Sequence, residues 1–209
     1  MMKLPAVQSD LFAKNDTRID VADADICYID NFLDFPQSCY DALLQELDWR
    51  QDTIMMYGRP VPIPRLNAWY GDATAEYGYS GLRLNPLPWT ETLQSIRQRI
   101  QDFTGDRFNS VLANFYRDGN DGVSWHSDDE RELGENPVIA SLSLGATRTF
   151  SLRHRFDRGL KNRHLPLLSG SLLIMRGTTQ HYWQHQVPKQ KKVKGGRINL
   201  TFRQIRPAG

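Results

Sequence analysis

Within DGVSWHSDDERE, His126 and Asp128 stand two residues apart, so an extended backbone points both side chains to the same side. Farther on, HYWQHQVP supplies His181 and His185. Two imidazoles and one carboxylate make the facial ligand set of non-haem iron oxygenases, which leaves positions on the ion open for oxygen and a chelating cosubstrate. An HxD pair alone is common by chance, and a single histidine is more often a surface or satisfied core residue. Only the combination points to metal, and it calls for a chelating partner elsewhere in the chain.

GRINLTFRQ offers a place for one. Arg197, Asn199, Thr201 and Arg203 alternate with Ile198, Leu200 and Phe202, the period of a half-buried strand. In isolation this is an ordinary edge strand with its polar face in water. Beside an iron site it reads as an anion cradle. 2-Oxoglutarate chelates iron through its keto-acid end and leaves a distal carboxylate, which a guanidinium fork matches with two oxygens at once. Burying two arginines without an anion would be costly.

The elements that must hold these residues are legible in outline. With 209 residues, 40% apolar and 24% charged, the chain has ordinary globular composition and length enough for one real core. Residues 1–24 read as a loose polar leader without the apolar segment of a secretory signal. ICYIDNF (26–32) reads as a strand, followed by a helix starting at Asp34 and Pro36 with Leu43, Leu44 and Leu47 as its apolar stripe. Residues 50–89, rich in Pro, Gly and aromatics, suit short strands and hairpins. Thr90 caps a second helix that turns Leu93, Ile96, Ile100 and Phe103 inward and stops at Gly105. From 110 onward SVLANFY, VIASLSLG, TRTFSLRH, SLLIMRG and RINLTFR read as strands without intervening helices, which points to an antiparallel sandwich or barrel. Cys27 and Cys39 cannot form a disulfide framework, and no run of about 18 apolar residues occurs, so a cytoplasmic protein with no membrane partner is expected.

In order along the chain, NFY (114–116), WHSDDERE (125–132), WQHQVP (183–188) and RINLTFR (197–203) resemble the AlkB family of Fe(II)/2-oxoglutarate dioxygenases. The motifs lie nearest the duplex-DNA-preferring members. Weaker matches at MYGR (56–59), PRLNAWYGD (64–72) and YGYSGLRLNPLPW (77–89) extend the resemblance over residues 50–205. It implies a mainly β fold with flanking helices: a double-stranded β-helix (jelly-roll, cupin-like) core over 110–205 with an N-terminal nucleotide-recognition lid over 50–89. Both would belong to a single dioxygenase domain, 25–209, acting as a monomer. His126, Asp128 and His185 would bind iron, leaving His181 to a supporting or packing place. Asn114 and Tyr116 would hydrogen-bond 2-oxoglutarate, and Arg197 would pair with its distal carboxylate beside Asn199 and Thr201. Arg203 would sit near the metal-bound end, with the division between the two arginines open. The implied reaction splits 2-oxoglutarate with O2 into succinate and CO2 and hydroxylates the N-methyl of 1-methyladenine or 3-methylcytosine. Formaldehyde then leaves and the base is restored, in DNA or in RNA. The site of action would be the nucleoid in a bacterium or the nucleus in a eukaryote.

A methyl group on the Watson–Crick edge is hidden in a duplex, so the base must be flipped into a pocket. By resemblance Tyr79 stacks on it, with Tyr77 close by and Trp69 among the other aromatics of 69–89, each of which could equally be a core residue. Glu130 matches the acidic position that reads the base, where a carboxylate favours a cationic ring. Tyr57, Gly58 and Arg59 resemble the tip that fills the vacated gap, though an ordinary hairpin turn explains them as well, and the preceding Met55 and Met56 leave strand preference open. The net charge of +2 is small, but basic residues gather in RHRFDRGLKNRH (153–164), which opens on Arg153, and in KQKKVK (189–194), which contains Lys191 and Lys192. Such runs are usually solvated faces; flanking a base pocket they suit phosphates. Two other readings remain. The same iron chemistry could act on a protein or small molecule, separable only through residues 50–89 and the basic runs. A metal-free nucleic-acid-binding module would be expected to lack a ligand, and none is missing.

Overall fold

The structure, a computed structural model, describes residues 16–56, 58–75, 77–79 and 82–206; of 16, 77–79 and 82–84 it describes the backbone. The chain begins with strands β1 (Asp16–Arg18) and β2 (Asp25–Ile29) and helix α1 (Pro36–Glu46). A hairpin of β3 (Thr53–Met56) and β4 (Arg59–Pro62), strand β5 (Leu66–Gly71), a second hairpin of β6 (Tyr77–Tyr79) and β7 (Leu82–Leu84), and helix α2 (Glu91–Thr104) follow. Then come β8 (Ser110–Tyr116), β9 (Val123–His126), β10 (Ile139–Gly145), β11 (Arg148–His154), β12 (Arg163–Leu167) and β13 (Leu172–Arg176). A short helix α3 (Thr179–Tyr182) leads to β14 (Trp183–Val187) and β15 (Arg197–Arg203).

Two antiparallel sheets carry the fold. The major sheet runs β1-β2-β13-β10-β15-β8-β5 and the minor sheet β12-β11-β14-β9. Strands β8 to β15 thus contribute four strands to each sheet, the double-stranded β-helix that the motifs implied. The helices cover the outer face of the major sheet, where Leu43 of α1 and Leu93, Ile96 and Ile100 of α2 pack with Val111, Ala113, Leu142, Leu144, Leu200 and Phe202. Thr90 caps α2 by accepting the Leu93 N–H, and Gly105 ends it in the left-handed region at φ 75°.

β15 is the buried cradle that the sequence reading set beside an iron site, not the edge strand with a solvated face that its alternation in isolation suggests. Ile198, Leu200 and Phe202 are buried under the helices, but Arg197, Asn199 and Thr201 are buried too, facing the minor sheet. Register brings matching polar groups beside them: on β10, Ser143 is opposite Asn199 and Ser141 opposite Thr201; on β8, Tyr116 is opposite Arg197 and Asn114 opposite Asn199. The polar face lines the space between two sheets because β15 is a central strand, a position that no local pattern reveals.

Three expectations are corrected. Residues 16–24 are not a loose leader: β1 pairs with β2 at the sheet edge, and the Trp183 indole N–H donates to the Ala22 carbonyl at 2.8 Å. The start of the leader, residues 1–15, lies outside the described residues. Leu44 and Phe103 are 37% and 40% exposed, so the buried helix stripes are narrower than read. Neighbouring helix positions diverge by about 100°, so Leu43 and Leu44 cannot both face one sheet. Within 50–89, β5 is a strand of the major sheet paired with β8, which confines any lid to the hairpins on either side.

Arg148, 1% exposed, ties two connections together. Its Nη1 donates to the Asp118 carbonyl (3.0 Å), its Nη2 to those of Asp121 (2.7 Å) and Pro188 (2.8 Å), and its Nε to Gln190 Oε1 (3.2 Å). It thereby joins the β8–β9 turn, which leads to His126, to the β14–β15 turn. Arg148→Leu strands these acceptors and should cost about 3 kcal/mol or more. A urea denaturation midpoint unchanged from wild type would show that the staple carries no stability.

Candidate active site

β14 pairs with β9 so that His185 lies opposite His126, with ring centroids 4.2 Å apart. Asp128, just past the end of β9, brings Oδ2 to 3.7 Å from His185 Nε2. One ligand atom from each of the three residues lies within 4.8 Å of the others. The orientation of His126 follows from its neighbour: Nδ1 lies 2.8 Å from the Ser124 carbonyl, which can only accept, so Nδ1 carries a proton and Nε2 is the nitrogen left for a metal. Burial, with His126 adding to it, pushes the His185 pKa down to about 3, so this imidazole is neutral at physiological pH. Burial pushes the Asp128 carboxyl up, but the guanidinium of Arg203, which also hydrogen-bonds it, outweighs burial and holds it below the usual range. The His185 imidazole, the Nε2 of His126 and an anionic carboxylate fit the donor set for divalent iron.

The surroundings fix these ligands. The Asp128 N–H donates to Gln180 Oε1 at 2.9 Å, and Gln180 is itself buried. Ser127 Oγ donates to the Trp183 carbonyl at 3.1 Å, and Phe150 stacks on His185 at 5.1 Å. Arg203 Nη2 donates to Asp128 Oδ1. His181 stands apart from the cluster, its Nε2 against the Glu135 carbonyl.

A cavity of about 320 Å³ opens on the triad and is lined by Asn114, Tyr116, Asn199, Thr201 and Arg203 among others. Asn199 Nδ2 donates to Ser141 Oγ at 2.8 Å and the Leu142 carbonyl at 3.1 Å; Asn114 Oδ1 accepts from Arg65 Nε at 2.8 Å. Arg197 stands one step along the same strand face, 1% exposed, with its Cζ 5.3 Å from the Tyr116 ring centroid. Its Nη2 donates to Ser143 Oγ at 2.8 Å, while Nε and Nη1 are buried without a partner. Burial brings its pKa down to about 10, which leaves it a cation at neutral pH. A buried cation with two idle nitrogen donors is costly, and a carboxylate is the group that satisfies it. The residues therefore fit both iron and a dicarboxylate chelator.

A second cavity of about 260 Å³ adjoins the first, sharing Leu112, Glu130 and Arg203 with it. Trp69, Leu133 and Ile205 help line it. Glu130 Oε2 is buried without a partner there. Burial raises the Glu130 pKa, and Arg203, pulling the other way, does not cancel the rise. The remaining expected substrate contacts are more scattered. Arg153 stacks on Trp125 at 4.4 Å and bonds Gln184 at 3.0 and 2.7 Å, and it lines neither cavity. Arg59, Lys191 and Lys192 are exposed. Tyr57 lies outside the described residues, and Tyr77 and Tyr79 are described through their backbone in β6.

Sequence reasoning missed Gln180, Arg65, Arg148 and Phe150. Each acts through a partner far away in the chain, so no spacing signalled it.

Fold and ligand set together define a double-stranded β-helix of the non-haem Fe(II) class. A family model described as the 2OG-Fe(II) oxygenase superfamily matches residues 25–203. The chain is 43% identical over 192 residues to alpha-ketoglutarate-dependent dioxygenase alkB homolog 3 of Rattus norvegicus, covering 87% of this chain and 64% of that protein. It is 44% identical over 160 residues to DNA oxidative demethylase ALKBH2 of Mus musculus, covering 74% of this chain and 67% of that protein. The chain thus spans just under two thirds of the length of the alkB homolog 3 relative. A solved structure titled "The structure of OsALKBH1" shares the fold, with a TM-score of 0.56 at 20% identity over 86% of this chain and 96% of that one. The chain belongs to the AlkB family of the 2OG-Fe(II) oxygenase superfamily.

Gln180 should be felt in metal binding. Gln180→Met removes the acceptor for the Asp128 N–H at similar volume, and Co(II) affinity should fall about 10- to 100-fold, as for other groups that orient metal ligands. Titration followed by the cobalt absorption bands, beside an unchanged far-UV circular dichroism spectrum, measures this. Equal affinity in wild type and variant would mean that Asp128 is positioned without Gln180.

Proposed function

We propose that this protein is an Fe(II)/2-oxoglutarate-dependent oxidative demethylase that repairs N-alkylated bases, 1-methyladenine and 3-methylcytosine, in DNA. The observation that carries this reading is the pairing of a buried His126–Asp128–His185 set with idle donors on Arg197, next to a separate chamber edged by Glu130. The names of the relatives, alkB homolog 3 dioxygenase and DNA oxidative demethylase, support the same chemistry and substrate.

His126, Asp128 and His185 would hold iron on one side. Arg197, with Asn199 and Thr201, would take the distal carboxylate of 2-oxoglutarate, and Asn114 and Tyr116 would orient its chain. Arg203 keeps Asp128 anionic and pointed at the ligand position. When bound, iron and 2-oxoglutarate supply the activation of O2 that hydroxylates a C–H bond, with succinate and CO2 as coproducts. Phe150, Met175 and Val187 form apolar wall beside the ligands and limit water there. Trp69 and Glu130 would receive the flipped base so that its methyl group faces the shared boundary of the two chambers. The hydroxymethylated ring nitrogen then loses formaldehyde, assisted by the positive charge that the alkylated ring carries. Arg59, Lys191 and Lys192 would contact the nucleic-acid backbone, with Tyr57, Tyr77 and Tyr79 near the base and Arg153 farther out. The protein works as a monomer in this reading.

Anaerobic loading with Fe(II) and 2-oxoglutarate, then exposure to air with a 1-methyladenine or 3-methylcytosine oligonucleotide, tests the reading. Mass spectrometry should record the loss of one methyl group, dependent on both additions and abolished in Asp128→Ala. Single- and double-stranded substrates run side by side would set strand preference. Succinate formation without loss of the methyl group would keep the oxygenase and move its substrate elsewhere.

A further inference from the structure

The chamber beside the metal site has a second polar wall, built on β5. Alternation along β5 turns Ala68 and Tyr70 into the core beneath the helices, and Asn67 and Trp69 into the chamber. The Asn67 backbone is held on both sides. It exchanges hydrogen bonds with Arg50, N–H to carbonyl, at 2.9 and 2.8 Å, and it pairs across the strand with Asn114. Its position is therefore set by the sheet.

The direction of its amide is fixed as well. Asn67 Nδ2 donates to Asp52 Oδ2 at 2.7 Å. An ionised carboxylate can only accept, so the NH2 end must face Asp52 and Oδ1 must point the other way. Asn67 Oδ1 is buried and has no partner. Glu130 Oε2, on the same chamber, is a second buried acceptor without a partner. Leu112, Leu133 and Ile205 add only apolar wall, and Ser110 Oγ donates to the Arg203 carbonyl at 3.4 Å. Among the described residues of this wall, the buried side-chain donor without a partner is Arg203 Nε, on a residue shared with the metal cavity.

We propose that Asn67, oriented by Asp52, is a specificity-determining residue whose Oδ1 accepts an N–H from the exocyclic amino group of the bound base. The inference rests on the demethylase reading and narrows its substrate class. Bases with an amino group beside the alkylated ring nitrogen satisfy the wall. Bases with an oxo group there set an acceptor against buried acceptors and leave them all unpaired, which is the strongest form of rejection a polar pocket offers.

The test uses single-stranded oligonucleotides carrying one 1-methyladenine or one 3-methylthymine, the latter with an oxo group in the corresponding place. Binding is read by fluorescence anisotropy with Mn(II) and 2-oxoglutarate, which do not support turnover, and kcat/KM is read separately with Fe(II). Wild type should bind the 1-methyladenine strand at least tenfold more tightly. Asn67→Ala should erase about tenfold of that ratio by weakening 1-methyladenine alone, since one hydrogen bond to a cationic base is at stake. Asp52→Asn, at an exposed position that leaves the fold intact, should erase part of it by freeing the Asn67 amide to turn over. The proposal is overturned if wild type does not discriminate, if Asn67→Ala leaves the ratio unchanged, or if both strands weaken equally. Binding preference lost in Asn67→Ala, with no demethylation by wild type, would support the acceptor wall and sink the demethylase reading alone.

Discussion

The rest of the structure depends on a polar strand face kept out of water. Arg197, Asn199 and Thr201 sit between two sheets, where unpaired polar groups are costly, and the fold answers with polar neighbours in register. Ser141 and Ser143 on β10 take up part of the hydrogen-bonding capacity. What they leave over, the Nε and Nη1 of Arg197, is a demand for an anion built into the interior. The opposite face of the strand supplies the compensating stability, through Ile198, Leu200 and Phe202 packed beneath α1 and α2.

Charge is balanced in a similar way in the His126–Asp128–His185 cluster. Asp128 is buried, yet Arg203 keeps it anionic; His185 is buried, and burial keeps it neutral. Both outcomes suit a cation in their midst, and both come from neighbours on other strands. β9 and β14, which carry His126 and His185, lie in the minor sheet, whereas Arg197 and Arg203 lie on β15 of the major sheet. The site is therefore a product of the two sheets facing each other, and Arg148 ties together the connections at one end of that sandwich.

Two adjoining chambers differ in chemistry. The one on the triad offers cationic donors and suits an anion; the other offers buried acceptors from Asn67 and Glu130 and suits a donor or a cation. Leu112, Glu130 and Arg203 form their shared boundary, so ligands in both would meet there.

The sequence by itself determined the parts that repeat at short range. The HxD pair, the later histidine, the alternation of RINLTFR, the Thr90 and Gly105 caps and the run of strands after 110 are all written within a few residues of one another. Physical periods of 2 and 3.6 make such features readable. Only the tertiary structure decided which side of a strand met water, because that depends on where the strand sits in its sheet. It placed β1 and β5 in the major sheet, turned Leu44 outward, set His181 apart from the His126–Asp128–His185 cluster and held Arg153 against Trp125 and Gln184. Gln180 on Asp128 and Asp52 on Asn67 belong to the same class. Each is a hydrogen bond between residues that share no motif, and the distance closing it exists only once the chain has folded.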